Sequence, residues 1–212
     1  ENDLLEAYVK LTARQSLLIE TYDRNVDLAP FLYITPGASS TNIAGKWKVN
    51  FVSGGPALPA SREIDSLKSW TNFGESYQAF SGTVSYKINF QKPTESADAW
   101  LLDLGTVKET AEVFLNGKSI GTLIGPIFQI SIRQVDLLPD NELEVQVSNL
   151  MANRIADLDK RKVFWKKFYN VNFPARKAEN RKNGLFDASG WEPRESGLIG
   201  PVTMTSVTVN RD

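Results

Sequence analysis

The dipeptide Asn116-Gly117 constrains this chain more than any other feature, because of what flanks it. A type I′ hairpin turn needs two consecutive residues at positive φ, and Asn-Gly tolerates that best. Before the turn the alternation is strict. Thr110, Glu112 and Phe114 point one way, while Ala111, Val113 and Leu115 point the other, and Ile120 follows beyond the turn. A hairpin of this kind lays one face on a core. The stretch 100–132 around it therefore predicts packed antiparallel sheets, and no catalytic centre is marked within it.

The same alternation recurs along the chain. In KWKVNFVS, Trp47, Val49 and Phe51 share one face against Lys46, Lys48 and Asn50, and Gly54-Gly55-Pro56 ends the run. In GTVSYKINFQ, Val84, Tyr86, Ile88 and Phe90 oppose Ser85, Lys87 and Asn89. Phe128, Ile130 and Ile132 point inward, as do Leu143, Val145 and Val147 after the Pro139-Asp140-Asn141 turn. The last strand holds Val202 and Met204 in one phase and Val207 and Val209 in the other, so a β-bulge near Thr205-Ser206 is expected. Leu58, Leu67, Trp70 and Phe73, in the loop-like stretch 56–80, are expected to plug the end of a sandwich. Seven or eight short strands with long connections predict an all-β, antiparallel jelly-roll β-sandwich.

Residues 1–44 break this pattern and are expected to be an N-terminal extension, or the tail of a preceding β module, plus a connector. Leu4, Tyr8, Leu11 and Leu18 fall near helical spacing behind Asn2 or Asp3. YVKLTA and SLLIETY also read as two short strands, and their Val, Ile, Thr and Tyr content favours strands. APFLYITPGASSTN reads as the connector. Residue 1 opens on ENDLL without a basic start and apolar signal core, so a mature protein or a piece of a longer one is expected.

Composition removes whole classes of chemistry. The 212 residues contain no Cys and no His. That excludes disulfides, thiolate nucleophiles, Cys-ligated zinc and imidazole bases. Acid–base work would fall to carboxylates, Lys or Tyr, and any metal would be a hard ion held by oxygen. No apolar run approaches the roughly 20 residues of a membrane span. The net charge of −1 hides an asymmetry: residues 154–182 carry ten Lys/Arg against three Asp/Glu. This stretch belongs to an insertion around 155–195, where Ile155, Leu158, Trp165 and Phe168 lie near one helical face and predict a short helix.

Six segments then appear in order: GKWKVNF, LKSWTNF, FSGTVSYKINF, WLLDLGTVKETAEVFLNGKSIG, NELEVQVSNLMANRIAD and SGLIGPVTM. Together they resemble the C-terminal carbohydrate-binding-like sandwich of glycoside hydrolase family 106, the α-L-rhamnosidases. They are also similar to the sugar-binding domain of family 2 glycosidases, which has the galactose-binding-like fold. The resemblance covers about 45–209, giving a galactose-binding-like domain at 45–212, and QSLLIET resembles the closing strand of a preceding module. Where the family shows a Trp-Pro-Pro-type segment, this chain has Leu123-Ile124-Gly125-Pro126-Ile127. The family's catalytic carboxylates belong to a (β/α) barrel outside this sequence. The resemblance thus implies a non-catalytic module of a rhamnosidase-like enzyme, secreted or periplasmic, with the catalytic domain of the same polypeptide as partner, or a relative that has lost its enzyme. The alternatives are an independent carbohydrate-binding module for plant or pectic glycans and a purely structural domain-docking sandwich. The resemblance implies no cofactor, though sandwiches of this fold often hold a structural calcium ion. Asp98, Asp103, Asp136 and Asp140 are scattered, without a calcium-loop signature.

Candidate sugar contacts follow from residue chemistry. A pyranose C–H face packs on a flat π surface, and its hydroxyls need planar polar groups. Trp47 and Trp100 lie in strands and are expected in the core. Trp191 is the best platform, flanked by Glu192 and Arg194, although it also reads as a plug over the sandwich edge. Trp70, Asn153 and Arg154 complete the carbohydrate-binding set, although the two polar residues read first as loop caps or an ion pair. Asp187, Glu192 and Glu195 are the carboxylates available for a stand-alone glycosidase pair. The basic insertion suits a domain-docking face or an acidic pectic glycan. Its Phe164–Tyr169 run superficially suits single-stranded nucleic acid, but no nucleic-acid fold signature accompanies it.

Overall fold

The computed structural model describes residues 16–27 and 33–210, together with residues 9, 11 and 13. In chain order it contains β1 (Ile34–Asn42), β2 (Trp47–Gly55), β3 (Arg62–Ile64), α1 (Glu75–Gln78), β4 (Ser81–Gln91) and β5 (Ala99–Asp103). Then come β6 (Thr106–Lys108), β7 (Thr110–Leu115), β8 (Lys118–Ile124), β9 (Gln129–Arg133) and β10 (Asp140–Ser148). After α2 (Ala152–Lys160) the chain closes with β11 (Arg181–Lys182), β12 (Leu185–Phe186), β13 (Gly197–Gly200) and β14 (Thr203–Val209). A six-stranded sheet, ordered β3-β2-β4-β10-β7-β8, faces a four-stranded sheet ordered β1-β14-β5-β9. The strands pair antiparallel, and the fold is an all-β sandwich.

Period-two alternation produces this directly. Val84, Ile88, Val113, Leu115, Leu143, Val145 and Val147 are buried from one sheet, and Trp100, Leu102, Ile132 and Met204 from the other. Their removal from water is the main favourable term, at roughly 25 cal/mol per Å2 of apolar surface. Asn116 (φ 52°) and Gly117 (φ 78°) form the expected turn. Asn116 also ties the hairpin to β10: its side-chain oxygen accepts from the Glu142 amide at 2.9 Å.

One end of the sandwich is closed by aromatics. Phe80 meets Phe51 edge-on at 4.9 Å and Trp70 at 5.8 Å. A Cβ at Gly197 (φ +105°) would lie 2.2 Å from the Tyr86 hydroxyl and 2.7 Å from the Trp70 ring, so only glycine lets β13 pass here.

Several expectations are corrected. The run read as a connector holds β1, which pairs with β14 from Ile34↔Val209 to Asn42↔Thr203. Pro36 is tolerated because β1 is an edge strand. The irregularity does fall at Ser206, but the extra residues are in β1, where Pro36 pairs with Val207 and Ser40 with Thr205; β14 itself pairs with β5 continuously through Thr205 and Ser206. Residues 16–22 form neither helix nor paired strand, since an extended segment needs a neighbouring edge for its hydrogen bonds. The YVKLTA strand and the alternative helix from Leu4 lie largely outside the described residues. Leu58 is exposed, and it does not plug the sandwich.

Candidate functional site

The insertion between β10 and β13 is latched to the sandwich by asparagines. Asn149 accepts from the Gly82 amide at 2.9 Å and donates to Ser196 Oγ at 2.9 Å. Buried Asn153 donates to the Arg194 carbonyl at 2.9 Å and accepts from the Arg194 amide at 2.7 Å. The Arg154 guanidinium pairs with Asp157 at 2.8 Å, and its amide donates to Ser81 Oγ at 3.3 Å. Asn153 and Arg154 therefore fix the frame, with Asn153 setting the backbone position of Arg194.

Helix α2 stops at Lys160, well short of Trp165 and Phe168. Lys162 adopts φ 56°, the Val163 amide donates to the Leu158 carbonyl at 2.9 Å, and that of Lys162 to Asp159 at 3.1 Å. This is the Schellman pattern that turns a chain out of a helix. The expected helical face is thereby split, and Phe168 is exposed.

Beyond the helix the insertion is organised on Asp159. Its carboxylate accepts from Trp165 Nε1 (2.7 Å), Lys166 Nζ (2.8 Å) and the Ala188 amide (2.8 Å). Lys166 also donates to the Phe186 carbonyl at 2.9 Å and lies 5.3 Å from the Trp165 and Phe186 ring centres. Desolvated charges are tolerable when paired and hydrogen-bonded, as here. A small core of Ala175, Phe186 and Ala188 packs beneath, with Ile155, Trp165 and Trp191 against it.

On this frame sits an open cavity of about 600 Å3, lined by Phe173, Pro174, Lys177, Glu179, Asn180, Gly190, Trp191, Glu192 and Arg194. Trp191 is half-buried: Nε1 donates to Asn180 Oδ1 at 2.7 Å, and its ring meets Phe186 edge-on at 5.8 Å. Asn180 is fixed in turn by donating to the Pro174 carbonyl at 2.9 Å. Phe173 projects into solvent with the Arg176 guanidinium 4.7 Å over its ring. The wall thus combines two aromatic faces with charged groups of both signs, a set suited to C–H faces and hydroxyls.

Three of the sequence-selected residues, Trp191, Glu192 and Arg194, meet at this cavity. Trp70 does not: it is fully buried in the aromatic end of the sandwich. Phe173, Lys177, Glu179 and Asn180 were not foreseen. Their signal was Asn183-Gly184, a second Asn-Gly turn (φ 52° and 77°) that folds β11 onto β12 and brings the 3₁₀ turns Phe173–Arg176 and Ala178–Asn180 beside Trp191.

The remaining carboxylates are engaged separately. Asp187 accepts from Ser189, which holds its carboxyl below the usual range against the opposing effect of burial, with Lys166 and Lys182 adding to the lowering. Glu195 lies 3.8 Å from Lys108. Among the expected calcium candidates, Asp136 binds Arg133 in a bidentate pair at 2.8 and 3.0 Å, and Asp103 accepts from Gly105 and Gln129 at 2.7 Å. Among the described residues no group of three or more His, Cys, Asp or Glu is placed to hold a metal ion, and no helix is long and apolar enough to cross a membrane.

A larger groove of about 840 Å3 runs between the edge strands β8 and β9. It includes the departing segment Leu123–Ile127, and no aromatic side chain lines it, so it offers no platform for a sugar ring.

No protein-family model matches the chain. A putative β-glucuronidase of Formosa agariphila is 41% identical over 117 residues, covering 53% of this chain and 10% of that protein. Among solved structures, a rhamnosidase from Novosphingobium sp. PP1Y superimposes with a TM-score of 0.61 at 26% identity, over 85% of this chain and 16% of its own. A β-glucuronidase from Bifidobacterium dentium shares the fold with a TM-score of 0.51 at 19% identity, over 83% of this chain and 31% of its own. The chain thus spans about a tenth of the curated relative and is similar to one part of longer glycoside hydrolases.

Proposed function

We propose that this chain is a non-catalytic accessory sandwich of an α-L-rhamnosidase-like glycoside hydrolase, with the galactose-binding-like fold of the family 106 C-terminal domain, and that its rim cavity binds carbohydrate. The observation that carries the reading is the convergence of Trp191, Glu192 and Arg194 with exposed Phe173 on one open cavity. Asn153 holds Arg194 from below, and Asn180 orients the indole. Asn153 and Arg154 act through position, not contact. In this reading the module supports or extends the sugar site of a catalytic barrel and works in the secreted or periplasmic space. The basic insertion favours plant or pectic glycans that carry uronates.

Calorimetry of the purified chain with rhamnose, galactose and pectic oligomers tests the binding role. Saturable heat that falls at least tenfold in Trp191→Ala is expected, and no heat with any of them removes it. Release of nitrophenol from an aryl rhamnoside by this chain alone would contradict the non-catalytic assignment. A purely structural role is the second reading, favoured by one observation: the Trp191 ring also packs on the insertion's own core. It predicts that Trp191→Ala lowers stability without any glycan affinity to lose.

A further inference from the structure

The insertion exposes apolar side chains that its own core does not use. Phe164, Phe168, Val171 and Phe173 are 85%, 76%, 77% and 78% exposed, all within ten residues. A mobile loop would scatter such groups, but this one is pinned between them. Trp165 and Lys166 turn inward onto Asp159. Asn170, at φ 59°, donates to the Gly184 carbonyl at 2.9 Å and accepts from the Phe186 amide at 2.9 Å. Asn172 accepts from the Ala175 amide at 2.8 Å. Polar side chains therefore spend their bonding capacity holding apolar ones in water, which is the mark of an interaction surface.

Lys160, Lys162, Lys167 and Lys182, within or beside this run in the sequence, are exposed, and Arg161 is neutralised by its pair with Asp157 at 2.7 Å. An apolar centre with a charged rim is the anatomy of a protein interface. Val171 has no flat π face to offer a sugar, and this favours protein over glycan as the occupant. The positive rim selects an acidic partner surface. The rhamnosidase of similar fold contributes only 16% of its own chain to the superposition, so a polypeptide of that kind carries further surface to dock against.

We infer that the exposed side chains of Phe164, Phe168 and Val171 form the docking surface by which this sandwich seats on an acidic-rimmed, apolar patch of a neighbouring domain in the same polypeptide. This rests on the accessory-domain reading but is independent of the Trp191 cavity. Phe173 lines that cavity and stays unaltered in the test.

The test compares the 212-residue chain with the polypeptide as encoded, by hydrogen exchange and by carbodiimide cross-linking read by mass spectrometry. At least tenfold slower amide exchange over 163–172 in the encoded polypeptide is expected, with cross-links from Lys162 and Lys167 to carboxylates outside the sandwich. The variant F164S/F168S/V171S should abolish both while leaving calorimetric glycan binding intact. Equal exchange in the two proteins overturns the inference, as does an encoded polypeptide that holds no further domain. Cross-links only between copies of the sandwich, or protection produced only by added polygalacturonate, overturn it in favour of self-association or glycan binding. Loss of glycan heat in Trp191→Ala with docking preserved would leave this inference standing, and an unaltered encoded polypeptide that binds glycan without docking would sink it alone.

Discussion

The sandwich and its insertion solve the same problem by opposite means. In the sandwich, apolar side chains from two sheets meet in one core, and polar groups sit on the outer faces, as Lys87, Glu142 and Glu144 do. In the insertion the core is three residues with three partly buried neighbours, and order comes from Asp159, Lys166, Asn170, Asn172 and Asn180 bonding specific backbone groups. Apolar burial is non-directional and rewards any close-packed arrangement. Hydrogen bonds contribute about 1 kcal/mol each but fix geometry, which suits a segment that must present groups outward.

The largest effect should come from removing a sandwich anchor. Trp100→Ala or Trp70→Ala should cost about 3–5 kcal/mol of global stability by denaturant titration, because each empties a fully packed site. A loss below about 1 kcal/mol would show that the core is loosely built. Asp159→Ala should cost a comparable local amount, about 3–5 kcal/mol, since it leaves Lys166 buried beside unsatisfied donors. Its signature differs: amide exchange should rise across 161–190 while β4 and β10 stay protected. Uniform exchange throughout the protein would mean that the two regions unfold as one.

Acid should also separate the regions. Folding holds the carboxyl groups of Asp136, Glu144 and Asp187 below their ordinary values. Arg133 does so for Asp136, hydrogen bonds from Lys87, Ser85 and Gln146 outweigh burial at Glu144, and Ser189 leads at Asp187. Depressed folded values stabilise above the unfolded ones, so their contribution is complete above about pH 5, declines as pH falls below about 4 and is gone only below the depressed folded values. Stability measured from pH 6 to 3 should therefore decline. In Ser189→Ala the acid-dependent loss within the insertion should shrink, while that of the sandwich is unchanged.

The smallest effects are the sharpest comparison. Gly117 and Gly184 occupy equivalent turn positions, φ 78° and 77°, with nothing within 4 Å of an added Cβ. Each alanine substitution should therefore cost only the conformational penalty of roughly 1–2 kcal/mol. In Gly117→Ala that cost should appear in global unfolding, because β7 pairs with β10 in the body of the sheet. In Gly184→Ala it should appear as local exchange around β11 and β12.

Much of the sandwich was legible because strand periodicity writes burial straight into sequence. Trp47, Val49 and Phe51, or Leu143, Val145 and Val147, name their own face. The β1 strand was hidden since its nine residues are almost wholly exposed at a sheet edge, so no alternation betrays it. At the candidate site, Trp191, Glu192 and Arg194 were readable from residue type, yet Trp70 had the same chemistry and lies in the core. Asn153 reads as a donor to a ligand until its partners are seen to be the Arg194 backbone.

By itself the sequence determined the architecture: alternating apolar side chains and an Asn-Gly turn leave two antiparallel sheets as the way to bury one face of each strand. It also determined what chemistry is missing, since a chain without His and Cys has no imidazole or thiolate to use. Only the tertiary structure decided which aromatics face water. That outcome depends on contacts between segments far apart in the chain, such as Asp159 with Ala188 and Asn149 with Gly82, and no local spacing records them.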